Sequence, residues 1–411
     1  MSYRDHNRTQ SRKKEANMNN FQNYFVNTER FDPHHSHKPI RKLNVKPPTT
    51  HFFTTSDNVE LRLQRFKGGK KGPVILSHCV GVSGLMFTLD TIEVNLVEYL
   101  CENGYDVWVL DHRLSIELPS SQNLSPLDDV ATKDYPAAVK TVCELAGVKS
   151  VQIVGHGAGS STLTMSLLSG LENVSSVVCS QISTHLYSAK INQFKAKFKA
   201  PAILRSLGKK WLNAYTDNNA GIVSKAYDAS LFFMPLPDDE QCNSPACHRI
   251  STLFGELYEH AQLNEETHAA LPRMFGKVNL SALKQTTEIL LNNQLVDAQG
   301  KNTYLPNISR LKLPMLFISG SNNESVLAKS TLKTIETLAD ANGAEYYKRQ
   351  EIGNYGHVDC IIGKNAVRDV YPFILEALDS TQTDNKIRKK RGRPAKTKET
   401  NETAEVVSES A

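Results

Sequence analysis

Hydrophobic and polar positions along the chain fall into two alternating rhythms. From His51, "HFFTTSD" and "VELRLQRF" alternate with a period of two on either side of Asp57-Asn58, the pattern of two strands joined by a turn. "GPVILSH" is a short apolar run after glycines, which suits a strand buried on both faces. "TIEVNLVEYLCENGY" then shows helical spacing and stops near Gly104. The same alternation continues. "DVWVLDHR" predicts a strand, "SPLDDVATKDYPAAVKTVCELAG" a helical stretch ended at Gly147, and "SVQIVG" a strand. "AGSSTLTMSLLSG" predicts a helix closed by Gly170, and "VSSVVCSQIS" a further strand. Strand–helix repetition of this kind predicts a mostly parallel sheet covered by helices on both faces. From about 185 to 310 the rhythm fails: helix-like pieces, Pro and Asn stops and few β runs predict a helical insertion. It resumes with the strand "LPMLFISG", the helix "VLAKSTLKTIETLADANG", the strand "AEYYKRQEI" and the final helix "VRDVYPFILEAL".

The ends differ from the middle. Residues 1–49 are polar, basic and proline-containing, and 381–411 are polar again; both are expected to be disordered. The domain is expected to span 50–380. The chain has 411 residues, 40% of them hydrophobic, enough to bury a large core. Its 48 Lys and Arg against 43 Asp and Glu imply no partner by themselves. Seven scattered cysteines, an odd number, fit reduced thiols better than a disulfide framework. The N-terminus has no apolar stretch of signal-peptide type and no run is long enough to span a membrane, so an intracellular, cytoplasmic protein is expected. "DPHHSHK" places three histidines close together, but in a polar arm they are not expected to hold a metal; no metal and no cofactor are expected.

The chemistry centres on "KSVQIVGHGAGSSTLTM". A strand, a turn Gly155-His156-Gly157-Ala158-Gly159 and a helix form the setting of Gly-x-Ser-x-Gly, in which a sharp elbow exposes a nucleophile. Here the centre is Gly157. Glycine is the least costly occupant of a strained backbone but offers no nucleophile. Ser160 and Ser161 lie about one turn further on and should begin the helix. The oxyanion hole of such a site would use the N–H of Ala158 and, from the loop after "GPVILSH", that of Val80. Cys79 follows His78, but neighbours in a strand point to opposite faces, so the two are not expected to touch. The base position falls on His357 in "GNYGHVDCIIG". The acid position falls on Asn322, two residues after Gly320, with Glu324 reaching it by a small shift. Asparagine can orient an imidazole but cannot stabilise its charged form as a carboxylate does.

"FFTTSDNVELRLQRF", "GYDVWVLDHR", "ATKDYPAAV", "VQIVGHGAGSSTL" and "YGHVDCIIGKNAVRDVYPFIL" resemble stretches of acid lipases and related α/β-hydrolases. The resemblance is closer still to hydrolase domains found with cholesterol-oxidase-type (GMC) flavoproteins, through "RISTLFGELYEHAQLNEETHAALPRMFG". No flavin-binding glycine fingerprint accompanies it. The resemblance implies an α/β-hydrolase fold with a cap, and lipid-like esters as ancestral substrates. The family's Ser or Cys nucleophile would fall on Gly157 and its carboxylate near Asn322, so a weakly active or inactive protein is expected. The alternative is a non-catalytic binder of a ligand or partner. Finally, Arg391-Gly392-Arg393-Pro394, flanked by lysines, looks like an AT-hook core, which implies weak contact with the narrow minor groove of A·T-rich DNA.

Overall fold

The computed structural model describes residues 39–215, 226, 228, 230, 242 and 244–391, the side chains beyond Thr381 excepted. Its strands are β1 (Thr49–Thr54), β2 (Glu60–Lys67), β3 (Lys71–Ser77), β4 (Tyr105–Asp111), β5 (Val151–His156), β6 (Val174–Ser180), β7 (Trp211–Asn213), β8 (Lys277–Asn279), β9 (Met315–Gly320) and β10 (Tyr347–Ile352). Eight of them form one sheet in the order β1-β2-β4-β3-β5-β6-β9-β10. β2 runs antiparallel to β1 and β4; the other pairings are parallel. β1 and β2 meet through a turn that puts Asn58 at φ 62°, the left-handed region that asparagine tolerates.

Among the described residues, the α-helices of seven or more residues are α1 (Leu96–Glu102), α2 (Tyr135–Ala146), α3 (Ala158–Leu168), α4 (Lys190–Lys197), α5 (Ala200–Ser206), α6 (Pro245–Phe254), α7 (Leu280–Asn292), α8 (Lys329–Asn342) and α9 (Tyr371–Arg391). α1 starts on a capping box: the Asn95 side chain accepts from the Glu98 N–H, and the Glu98 carboxylate accepts from the Asn95 N–H. That box begins later than the apolar spacing suggested, so "TIEV" stays outside the helix. α2 ends on Gly147 in the left-handed conformation. α9 continues to Arg391, past the expected boundary at 380, because "NKIRKKR" is made of residues that do not interrupt a helix.

β3, β5 and β9 carry unbroken buried runs, since helices cover both faces. Val74, Ile75, Ile153, Val154, Phe317 and Ile318 are fully buried, each worth about 1.5–3 kcal/mol relative to exposure. α3 is buried along nearly its whole length, so it lacks the one-sided apolar stripe of a surface helix. α4 to α7, with the antiparallel pair β7–β8, come from the stretch between β6 and β9. Their side chains meet the sheet above the carboxyl ends of β3 and β5 and close a cavity there.

Candidate functional site

Small residues make the β5–α3 elbow. A Cβ on Gly155 would come 2.7 Å from the Ser160 Cα, and one on Gly159 within 2.6 Å of the His78 carbonyl oxygen, so neither position has room for a side chain. The Tyr135 hydroxyl donates to the Gly159 carbonyl (2.6 Å) and lies 2.8 Å from Ser77 Oγ, tying α2, α3 and β3 together beneath the turn. Gly157 sits at φ 55°, ψ −123°, the strained geometry of an elbow centre. Ser160 is turned into the protein, where its hydroxyl donates to the Ile182 carbonyl, and Ser161 is buried in the first turn of α3.

The space above Gly157 is taken. A Cβ built there would overlap the sulfur of Cys79 and lie 2.7 Å from His357 Nε2. His78 and Cys79 diverge as expected. The His78 ring stacks on His112 at 3.9 Å, while the Cys79 thiol turns the other way and donates to the His156 carbonyl at 3.4 Å. Burial pushes the Cys79 thiol up to about 12, against a smaller downward pull from the Ala158 N–H. That N–H is the expected first oxyanion donor. Cys79 thus remains a protonated thiol at neutral pH, although it sits where a nucleophile would project. Val80 and Ala158 both line the cavity beside it.

His357 occupies the loop after β10, held by hydrogen bonds from its own N–H and that of Val358 to the Leu257 carbonyl (2.9 and 2.7 Å). Burial pushes its imidazole down to about 3. The His156 ring meets it edge-on at 5.1 Å and donates or accepts at Ser180 Oγ through Nδ1 (2.9 Å).

The partner of His357 Nδ1 is neither Asn322 nor Glu324. Asn322 is exposed and accepts from the Ser321 hydroxyl (2.8 Å), and Glu324 is exposed as well. The chain turns once more after Gly320 than the expected spacing allowed, and it is Asn323 that points inward, 1% exposed, with Nδ2 3.0 Å from His357 Nδ1. Its orientation is fixed from both sides. Asn323 Oδ1 accepts the Val326 N–H (2.8 Å). Asn323 Nδ2 also donates to Gln181 Oε1 (2.9 Å), and that oxygen is identified by the Gly320 N–H it accepts (3.1 Å). Two backbone donors therefore decide both amides. An NH2 group faces His357 Nδ1, so Nδ1 is the acceptor and the proton of the neutral ring sits on Nε2. A carboxylate would impose the opposite tautomer. His357 presents a donor to the space above Gly157, where a triad histidine presents an acceptor.

Above these groups lies a cavity of about 360 Å³, lined by Ile182, Leu186, Leu253, Phe254, Phe275 and Val326 among others, with His357 at its floor. Lys195 of α4 carries the one charge among the described lining residues, and burial lowers its pKa. Gly392, Arg393 and Pro394 lie outside the described residues and Arg391 ends α9; "DPHHSHK" also lies outside them.

No protein-family model matches the chain. Among solved structures, a hydrolase from Pseudomonas aeruginosa superposes with a TM-score of 0.51 at 14% identity, covering 80% of this chain and 98% of that one. DcsB in complex with its substrate analogue gives a TM-score of 0.51 at 15% identity, covering 81% and 99%. The chain has the α/β-hydrolase fold. Sequence relatives agree with this fold. Lipase member K of Mus musculus is 22% identical over 366 residues, 82% of this chain and 88% of that protein. Lipase lipl-3 of Caenorhabditis elegans is 28% identical over 137 residues, 29% of this chain and 33% of that protein. Both of these sequence relatives are lipases. Among the described residues, no helix is long and apolar enough to cross a membrane. None of the seven cysteines is paired in a disulfide.

Proposed function

We propose that this α/β-hydrolase-fold protein binds a lipid-like carboxylic ester, or the acid derived from it, without turning it over at lipase rates. The observation that carries this reading is the inverted histidine: Asn323 fixes His357 as an Nε2–H donor. A general base must accept the nucleophile's proton at Nε2, and in this tautomer that nitrogen already carries one. Two further features support it. Gly157 has no side chain, and the Cys79 thiol beside it is raised to about 12 and donates to a carbonyl rather than to His357. Removing a triad nucleophile typically costs on the order of a million-fold in turnover.

The remaining groups suit binding. The apolar cavity receives an acyl chain, whose transfer from water is worth roughly 0.8 kcal/mol per CH2 buried. His357 Nε2–H, at the floor of the cavity, is placed to donate to the carbonyl oxygen of the head group. The test pairs binding and turnover on one preparation. Calorimetric titration with a medium-chain fatty acid and its methyl ester should show saturable binding that weakens at least tenfold in His357→Ala. Hydrolysis of a short p-nitrophenyl ester should stay near background and be unaffected by Cys79→Ala. Efficient hydrolysis that disappears in Cys79→Ala would replace this reading with a thiol-dependent hydrolase.

A further inference from the structure

Away from the cavity floor, the cap carries a second cluster that the ester-binding reading does not use. Cys242, Cys247, His260 and His268 each bring one ligand atom within 4.8 Å of those of the other three. Cys247 lies in the first turn of α6, His260 in the short turn after it, and His268 in a helix-like segment at Glu265–Ala269. We propose that these four side chains form a structural zinc site.

The geometry suits a tetrahedral ion. With Zn–S near 2.3 Å and Zn–N near 2.0–2.1 Å, a tetrahedron has an S···N edge of about 3.6 Å. Cys247 Sγ and His260 Nε2 are 3.3 Å apart, close to that edge before any metal draws the set together. The rings of His260 and His268 are 5.2 Å apart and inclined at 46°, so both can turn a nitrogen to one point. His268 Nε2 is buried with no protein hydrogen bond of ordinary geometry. The Tyr258 hydroxyl lies 2.9 Å from Cys247 Sγ, where it donates to a thiolate as an outer-shell partner. His248 is not part of the set; its Nε2 donates to the Cys242 carbonyl at 2.8 Å.

The spacing Cys-x4-Cys-x12-His-x7-His departs from a zinc finger only in its last gap. Two thiols, two imidazoles and no carboxylate favour zinc over calcium or magnesium. On binding, the two thiols release their protons to solvent and the two thiolates balance the ion's charge. With four protein ligands the site is closed, so its role is to hold the fold.

What it would hold is visible. The segment between Cys247 and His268 carries Leu257, whose carbonyl accepts from the His357 and Val358 N–H groups. The Glu259 N–H donates to Asp359 Oδ2 (3.3 Å), and the Lys364 N–H donates to the Gln262 carbonyl (2.8 Å). A metal at this cluster would clamp the strip of cap on which the His357 loop leans.

The test uses the full chain, free of any histidine tag, reconstituted with Zn2+ and passed over a desalting column. Elemental analysis should return about one zinc per chain. Cys242→Ser with Cys247→Ser should lose it, and Cys79→Ala, at the cavity floor, should keep it. Because the double variant may not fold, two readings use the wild-type chain alone. Replacement by Co2+ should give the intense visible bands of a tetrahedral thiolate site. A strong chelator should expose two additional thiols to a disulfide reagent and lower the unfolding midpoint. Absence of retained zinc, or zinc lost with Cys79 and retained without Cys242 and Cys247, overturns the proposal. So does a cobalt spectrum without thiolate charge transfer.

Discussion

Gly157→Ser should not restore a lipase; it should damage the protein, by an amount the structure sets. Two terms add. A side chain at φ 55°, ψ −123° carries backbone strain of about 1–3 kcal/mol. Its Cβ would overlap Cys79 Sγ and press to 2.7 Å on His357 Nε2, and overpacking of this kind costs about 1–3 kcal/mol. The single variant is therefore expected to lose roughly 2–6 kcal/mol of stability. Cys79→Ala removes the colliding sulfur and leaves the strain. In a double-mutant cycle the pair should be less destabilised than the sum of the singles by up to about 3 kcal/mol, the part of the overpacking that Cys79 causes. The assay is urea unfolding of wild type, both singles and the double, at pH 7 and fixed protein concentration. Additivity within about 0.5 kcal/mol would refute the reasoning, because it would mean the two side chains do not compete for one space.

Three further expectations follow from the same geometry. In the Cys79→Ala, Gly157→Ser background, adding Asn323→Asp should raise hydrolysis of a short p-nitrophenyl ester by at least a hundred-fold, since a wrong-tautomer histidine typically costs about 10⁴ in a triad; Asn322→Asp in that background should add nothing. Burial pushes the pKa of Asp359 up to about 7, so its proton binds more tightly in the folded state and stability falls as pH rises from about 3.8 to about 7; Asp359→Asn, which keeps the acceptor for the Gly356 N–H, should stabilise the protein above pH 7 by at most about 4 kcal/mol and not at all below pH 4, as thermal unfolding across that range will show. Ile182→Trp, placed on the apolar wall, should abolish fatty-acid binding measured by calorimetry while leaving the fold intact by circular dichroism.

Much of the scaffold was legible because its signals are local. Glycines 147 and 170, the turn at Asp57-Asn58 and the apolar runs of β3, β5 and β9 each follow from nearby sequence. The elbow was legible for the same reason: Gly155, Gly157 and Gly159 are spaced by a turn whose sterics are local. The partner of His357 was not. Asn322 and Asn323 are chemically identical neighbours, and which one turns inward depends on Gln181 and Val326, groups brought there by β6 and α8. The inversion of the histidine is still less visible, because it rests on which backbone N–H meets which amide oxygen. Cys79 stood out in the sequence only as a neighbour of His78; that it lies over Gly157, 78 residues further along, is set by the fold. Cys242, Cys247, His260 and His268 were each readable as ordinary cap residues; their wide last gap hid the spacing, and no metal was expected.

The donor role of His357 is tested most directly by ¹⁵N NMR of histidine-labelled protein at pH 7, with His357 assigned by the loss of its signals in His357→Gln. The expected result is a neutral ring with the proton on Nε2 and an unprotonated Nδ1, unchanged as the pH is lowered to about 4, because burial pushes its pKa down to about 3. A ring protonated on Nδ1, or one that titrates near its ordinary value of 6.5, would contradict it.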